Sequence, residues 1–450
     1  MVSSPNDNTK HMGGYTIMTR LSSSHSTMRR LAVPVTASLT AASSIFLAGL
    51  AGQAGASGGT FVVGVDAPLT GGTAATGAQI KDAVMLAFDH VHDRVGNYRI
   101  SLVTINDEDQ PAAGASALEA AIAREGIQAA TGMWDSDVGL ADMPIIARSK
   151  IPLVFNGAAS ASIVSDVRKN PKVQQYWDGD VYAPSTSTGT ELVTAVNHYY
   201  HADPSAFPCG KTAATLSEQS SFGYSVVAGA VKTLKADGWK LVAKEWFPID
   251  QANNTAAIEG IEHKCTSVII GNGTATQATT GIVNEAKQTG FKGLVVMNGL
   301  DYSSTWYPLT GKNSNGVLDT GSVFLNTPAA KSFQQEFKKK FGTAPSAISA
   351  GIFYDYTNFF IKILHATIAK YHVLSSHTLW ETMYEQVRTG KLVASPGVSL
   401  EGIRFSTKTW PAPVFAPDSY YTQVLQDKNG STYVIWPLAE RSGTFVPPGK

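Results

Sequence analysis

Several residue groups carry the types that catalysis needs, and each falls short of a working set. Gly72-Thr73-Ala74-Ala75-Thr76-Gly77 has the glycine spacing of a phosphate-cradling loop. Ala78-Gln79 stands where a Lys-Ser/Thr pair would hold phosphate and Mg²⁺. Gly271-Asn272-Gly273 looks like a dinucleotide turn, but Thr276 replaces the third glycine. Gly223-Tyr224-Ser225 lacks the closing glycine of a nucleophile elbow. His198 and His201 share a helix face without further metal ligands. No nucleophile converges with a base, so the chain reads as a non-enzyme that needs no cofactor or metal.

What remains is a set of polar and aromatic residues at the ends of predicted strands. Thr70 and Thr76 follow the first strand, and Trp134-Asp135-Ser136-Asp137 follows the third. Ala158-Ala159-Ser160 follows the fourth. In the second half, Phe222, Thr274 and Asp301 hold comparable positions. In open α/β sheets, ligands sit outside the carboxyl ends of the strands. A Trp face stacks a ring or holds a cation, and a carboxylate holds an ammonium. Competing roles are structural: Ser160 and Asp137 as helix caps, Phe222 as core, Asp301 as a turn former.

The elements behind these ends alternate. Strands are predicted at 61–67, 99–106, 128–132, 151–156 and 172–177, then at 211–216, 240–246, 267–271 and 293–297. Helical periodicity lies between them; Ile80, Val84, Phe88, Val91 and Val95 share one face. Two successive α/β series predict two Rossmann-like lobes with parallel sheets. The segment 349–370 reads as a core helix, and Asn429-Gly430 as a hairpin turn near the C-terminus.

A chain of 450 residues suffices for two cores, and its 35 basic and 35 acidic residues give no nucleic-acid footprint. Met28-Arg29-Arg30, the uncharged run 31–51 and Ala54-Gly55-Ala56 read as a cleavable signal peptide ending before Ser57. A membrane anchor is the rival reading, weakened by Pro34 and many Ser and Thr. The expected location is periplasmic or extracellular.

The opening strand, Pro68-Leu69-Thr70-Gly71 and a glycine-led helix resemble the start of periplasmic substrate-binding proteins of the leucine/branched-chain amino acid family. A G-x-x-F strand at Gly402–Phe405 and a closing hairpin extend the likeness to about Trp436. The resemblance implies the type I periplasmic binding fold, with three hinge crossings. Its expected divisions are 1–56 as extension and signal peptide, 58–183 plus 322–398 as the first lobe, and 184–321 plus 399–450 as the second. It implies that Ala158-Ala159-Ser160 grips a ligand carboxylate, that Phe222 forms an aromatic wall, and that Asp301 meets the ligand amine. The implied ligand is a small amino acid or related zwitterion, larger or aromatic if Trp134 and Gly273 shape the site. The implied partner is the membrane permease of an ABC importer; the alternative is a sensor that signals to a receptor. Two departures bear on the ligand. An expected Tyr is replaced by Gly273-Thr274, and a F-R-T-x-P-S-D segment by Asp180–Thr186.

Cys209 and Cys265 each precede a strand of the second series, the first and the third. In a 2-1-3-4-5 sheet these strands are neighbours, so an exported chain is expected to bridge the two; separate buried thiols are the other reading.

Overall fold

The computed structural model describes residues 58–414 and 423–448. The signal-peptide segment lies outside the described residues.

The first sheet contains β1 (Thr60–Ala67), β2 (Arg94–Val95), β3 (Tyr98–Asn106), β4 (Ala129–Gly132), β5 (Leu153–Asn156) and β6 (Trp177–Asp180), in the order β2-β3-β1-β4-β5-β6. All neighbours pair in parallel except β2 with β3. The second contains β7 (Thr212–Glu218), β8 (Lys240–Phe247), β9 (Val268–Asn272), β10 (Leu294–Asn298), β11 (Leu318–Gly321), β12 (Gln423–Lys428) and β13 (Ser431–Trp436). Its order is β13-β12-β11-β10-β9-β7-β8, with β12 and β13 antiparallel. Each sheet therefore holds the doubly wound 2-1-3-4-5 order, extended at one edge.

Strand period two divides the second lobe's core between its two faces. Val268, Ile270, Leu294 and Val296 pack with Leu192, Val193 and Val196 of the helix Ser185–Ala202. Ile269, Val295 and Met297 pack on the other face, with Ile282 and Val283 of the helix Thr276–Thr289. In the first lobe the helix Ile352–Tyr371 is nearly enclosed. Its exposed residues are a stripe through Asn358, Lys362, His365 and Ala369, with Lys370 in the last turn.

Residues 399–414, expected with the second lobe, pack on the first. Ile403, Phe405 and Trp410 belong to its core, and Phe405 stacks on Phe155 with ring centroids 5.7 Å apart. Arg168 Nε donates to the Trp410 carbonyl and Asp180 N to the Pro411 carbonyl, fixing the segment. Val414 still bridges to Arg404 in the first lobe, whereas Gln423 opens β12 in the second.

The strand expected at 172–177 is instead β6, beginning at Trp177. Trp-Asp-Gly-Asp is poor in β-formers, and tertiary bonds hold it. Asn156 Nδ2 donates to the Gly179 carbonyl and to Asp180 Oδ1, and Trp177 Nε1 donates to Asp180 Oδ1.

Cys209 and Cys265 form a disulfide with Cα atoms 5.6 Å apart, just ahead of the paired strands β7 and β9. It closes 56 residues at the amino ends of these strands. Replacing both cysteines by serine is expected to destabilise the protein by about 2–4 kcal/mol. Ligand affinity should be unchanged, as read by denaturant unfolding and titration calorimetry.

Candidate functional site

The carboxyl ends of the two sheets face one another across a cleft. After β4 the chain turns through Met133-Trp134 into a helix, Ser136–Ser149. Asp135 caps this helix: Oδ1 accepts from Asp137 N at 2.7 Å and from Val138 N at 2.9 Å. After β5, Gly157 lies too close to the Met133 carbonyl for any Cβ, which would stand 2.7 Å away. Ser160 then caps the helix Ala161–Lys169. From the opposite lobe, Ser220 caps the helix Ser221–Ala236, which carries Phe222, and Gly299-Leu300-Asp301-Tyr302 follows β10.

These ends enclose a cavity of about 40 Å³. Trp134, Asp135, Ser136, Tyr182, Phe222 and Tyr302 form most of its polar and aromatic wall. Gly157, Ala159, Thr274, Asn298 and Thr320 complete the strand-end contributions. Such a volume holds no more than a few waters, so a larger ligand enters only when the lobes separate. A larger hollow of about 580 Å³ lies where Gly293-Leu294 leads into β10, at the amino end of that strand, where a doubly wound sheet does not bind ligand.

Three aromatic rings meet at the cavity. Trp134 stands edge-on to Tyr302, with centroids 4.8 Å apart, and to Tyr182 at 5.8 Å. Tyr182 is held by its hydroxyl, which donates to the Ile348 carbonyl at 2.7 Å. Trp134 Nε1, Asp135 Oδ2 and Asn298 Oδ1 are buried without a hydrogen-bond partner among the described residues.

The electrostatics are one-sided, since among the described residues no Lys, Arg or His lines the cavity. Burial pushes the Asp135 carboxyl well above its usual range, and the charge of Asp109 adds to this. Glu218 is pushed up to about 7 by burial, with Asp135 adding to the rise. Asp109 also rises to about 7, through burial and the charges of Asp107, Glu218 and Asp250. Glu218 is held by Thr274, whose N and Oγ1 donate to Oε2 at 2.6 and 2.8 Å, and by Ser220 Oγ on Oε1 at 2.6 Å.

The lobes touch through direct bonds. Ser221 N donates to Asp137 Oδ1 at 3.1 Å, and Ser160 Oγ donates to the Ser221 carbonyl at 3.2 Å. Ser349 Oγ donates to the Tyr302 carbonyl at 2.7 Å, and Thr276 N to the Gly72 carbonyl at 3.3 Å.

Of the residues singled out from the sequence, Trp134, Asp135, Ser136, Phe222 and Thr274 line the cavity. Asp137 and Ser160 instead join the two lobes. Ala158 is buried, and its N donates to Asn156 Oδ1 at 3.1 Å. Thr76 is buried on the first helix, Ala74–Asp89, outside the cavity wall. Thr70 is exposed and accepts from Asn106 Nδ2 at 3.2 Å. Asp301 lies behind the wall beside Asp319, which accepts from its backbone N at 2.8 Å. Neither Tyr182 nor Tyr302 was among the ligand contacts expected from the sequence. Tyr182 falls in the segment that departs from the family pattern, and Tyr302 adjoins the selected Asp301.

Among the described residues no helix is long and apolar enough to cross a membrane, and no group of three or more His, Cys, Asp or Glu is placed to hold a metal. The chain is similar to the Leu/Ile/Val-binding protein homolog 2 of Brucella abortus (strain 2308), at 24% identity over 314 residues, covering 69% of this chain and 79% of that one. Its fold is similar to that of the leucine binding protein LivK of Thermotoga maritima, with a TM-score of 0.65 and 18% identity, covering 83% of this chain and 97% of the other. It is also similar to a solute binding protein of an R. palustris ABC transporter, solved in complex with 4-hydroxybenzoate; the TM-score is 0.67 and the identity 17%, over 83% and 95% of the two chains. Residues 60–397 match the family described as periplasmic binding protein, three quarters of the sequence in one continuous stretch that takes in β1 to β11; the chain belongs to that family of solute-binding proteins.

Proposed function

We propose that the protein is exported, captures a small molecule between its lobes and delivers it to the permease of an ABC importer. The observation that carries this reading is the cavity at the opposed carboxyl ends of two 2-1-3-4-5 sheets, closed over by bonds such as Asp137 to Ser221. Closure buries the ligand and presents one rigid surface to the permease. In this reading the transport work belongs to that partner.

Similar proteins take ligands as different as isoleucine and 4-hydroxybenzoate, so the fold leaves the ligand class open. The test is a thermal-shift screen of amino acids, aromatic acids and amines on purified protein, followed by solution scattering. A ligand that binds only the folded state raises Tm. The expected result is at least one hit that also compacts the molecule. A hit at saturation with an unchanged scattering profile would count against capture by lobe closure.

A further inference from the structure

The chemistry lining the cleft is more specific than the fold. Four aromatic side chains, Trp134, Tyr182, Phe222 and Tyr302, surround a cavity with no basic residue among the described residues of its wall. Trp134 makes near-perpendicular corners with Tyr302 and Tyr182, at 85° and 87°. An aromatic ring is negative on its face, so rings set at right angles around one space favour a positive centre. Asp135 is 1% exposed and lines the same space. One of its oxygens is used by the helix cap, and Oδ2 has no partner among the described residues. Asp109, Asp137 and Glu218 stand near it, and each is negative when ionised. With these carboxyls ionised, the field in the closed cleft is that of a cation receptor, and a bound cation favours their ionised form.

The features that would grip a carboxylate are already used. Ala158 N donates to Asn156 Oδ1, and Ser160 N donates to Ser136 Oγ at 3.1 Å. Ser160 Oγ donates across the cleft to the Ser221 carbonyl. An anionic head would have to displace these bonds and face Asp135 without a counter-charge. A free donor does exist in Trp134 Nε1, which suits a ligand hydroxyl or ether oxygen beside the positive centre.

We propose that the cleft selects a small organic cation, its positive centre boxed by the rings of Trp134, Tyr182, Tyr302 and Phe222 and neutralised by Asp135. This rests on the reading of the protein as a solute-binding protein and names the ligand class of that same site.

The test uses choline, which has a fixed positive charge and one hydroxyl, with tetramethylammonium, L-leucine and benzoate alongside. Calorimetry on the wild-type protein is expected to show choline binding, with leucine and benzoate at least tenfold weaker. Asp135→Asn retains an acceptor for the helix cap and removes the charge. It is expected to weaken choline at least tenfold while the unliganded protein stays folded, with a Tm no lower than that of the wild type. Tyr302→Leu should weaken choline similarly, whereas Tyr302→Phe, which keeps the ring, should not. Absence of binding by both cations overturns the proposal, as does unchanged choline affinity in Asp135→Asn. Compaction on leucine or benzoate with no response to either cation overturns it too, while leaving ligand capture between the lobes intact.

Discussion

Gly72→Leu is expected to weaken ligand binding more than a hundredfold although position 72 lies outside the cavity wall. Gly72 belongs to the turn after β1, and its carbonyl accepts from Thr276 N of the opposite lobe. A Cβ at this position would collide with the Asp250 carboxylate and stand 2.7 Å from Gln277 Nε2 and 2.9 Å from Ala275 Cβ. The first two are ends of flexible side chains and can swing aside. Ala275 cannot, because it is buried and caps the helix Thr276–Thr289. A leucine there is a wedge between the lobes. Taking about 3 kcal/mol as its cost in the closed form, the upper end for overpacking, the closed population and the apparent affinity fall by more than a hundredfold. Folding of each lobe should be untouched. Gly260→Leu is the control, since a Cβ there meets open space. Calorimetry and scattering read the outcome: wild-type affinity and full compaction in Gly72→Leu would show that the lobes do not close on this contact.

The architecture was legible where the local signal and the tertiary demand agree. β1 alternates buried β-branched residues and stops at Pro68, so its edges are readable from the chain itself. The alternation of strand and helix then implies the sheet order, because right-handed crossovers leave few topologies. β6 and β11 were misplaced or missed because Trp177-Asp178-Gly179-Asp180 and Leu318-Asp319-Thr320-Gly321 each set one strand former among Asp and Gly, which disfavour strands. Their pairing is imposed by neighbouring strands and by side-chain bonds from residues such as Asn156 and Asn298. The return of residues 399–414 to the first lobe was hidden for a similar reason. It depends on Phe405 meeting Phe155 and on Arg168 meeting the Trp410 carbonyl, contacts far apart in sequence.

In the candidate site, chain-local features were readable and convergence was not. Trp134 and Asp135 stand out as bulky and charged residues directly after a strand. That Tyr182 and Tyr302 would meet Trp134 depends on both lobes at once, since Tyr302 comes from the second lobe and joins the core of the first. The same holds for Ser160. As a helix cap it is readable from Ser-Ala-Ser, whereas its bond to the Ser221 carbonyl exists only in the closed molecule.

Choline affinity is expected to rise by up to about a hundredfold between pH 5 and pH 7 if the cleft is a cation receptor. The sign follows from the carboxyls it buries. In the closed form Asp109 and Glu218 are raised to about 7 and Asp135 well above its usual value, burial being the largest cause for each. The charged groups that face them are also acidic: Asp107, Asp137 and Asp250. A hydrated carboxyl in the open or unfolded chain titrates near 4. Between about pH 4 and 7 the closed form thus holds more protons than the open one. Without ligand, closure and folding stability are greatest at the acid end of this window and are lost as pH rises through about 7. A cation replaces a proton at the site, and one proton released per cation gives a tenfold gain in affinity per pH unit. Choline keeps its own charge throughout, so the slope reports only the protein. A benzoate-type anion should show the opposite trend, since its binding is helped by protonated carboxyls. Calorimetry in buffers of different ionisation enthalpy would count the proton directly. A flat or falling choline affinity from pH 5 to 7, with no proton released, would show that none of these carboxyls pairs with the ligand.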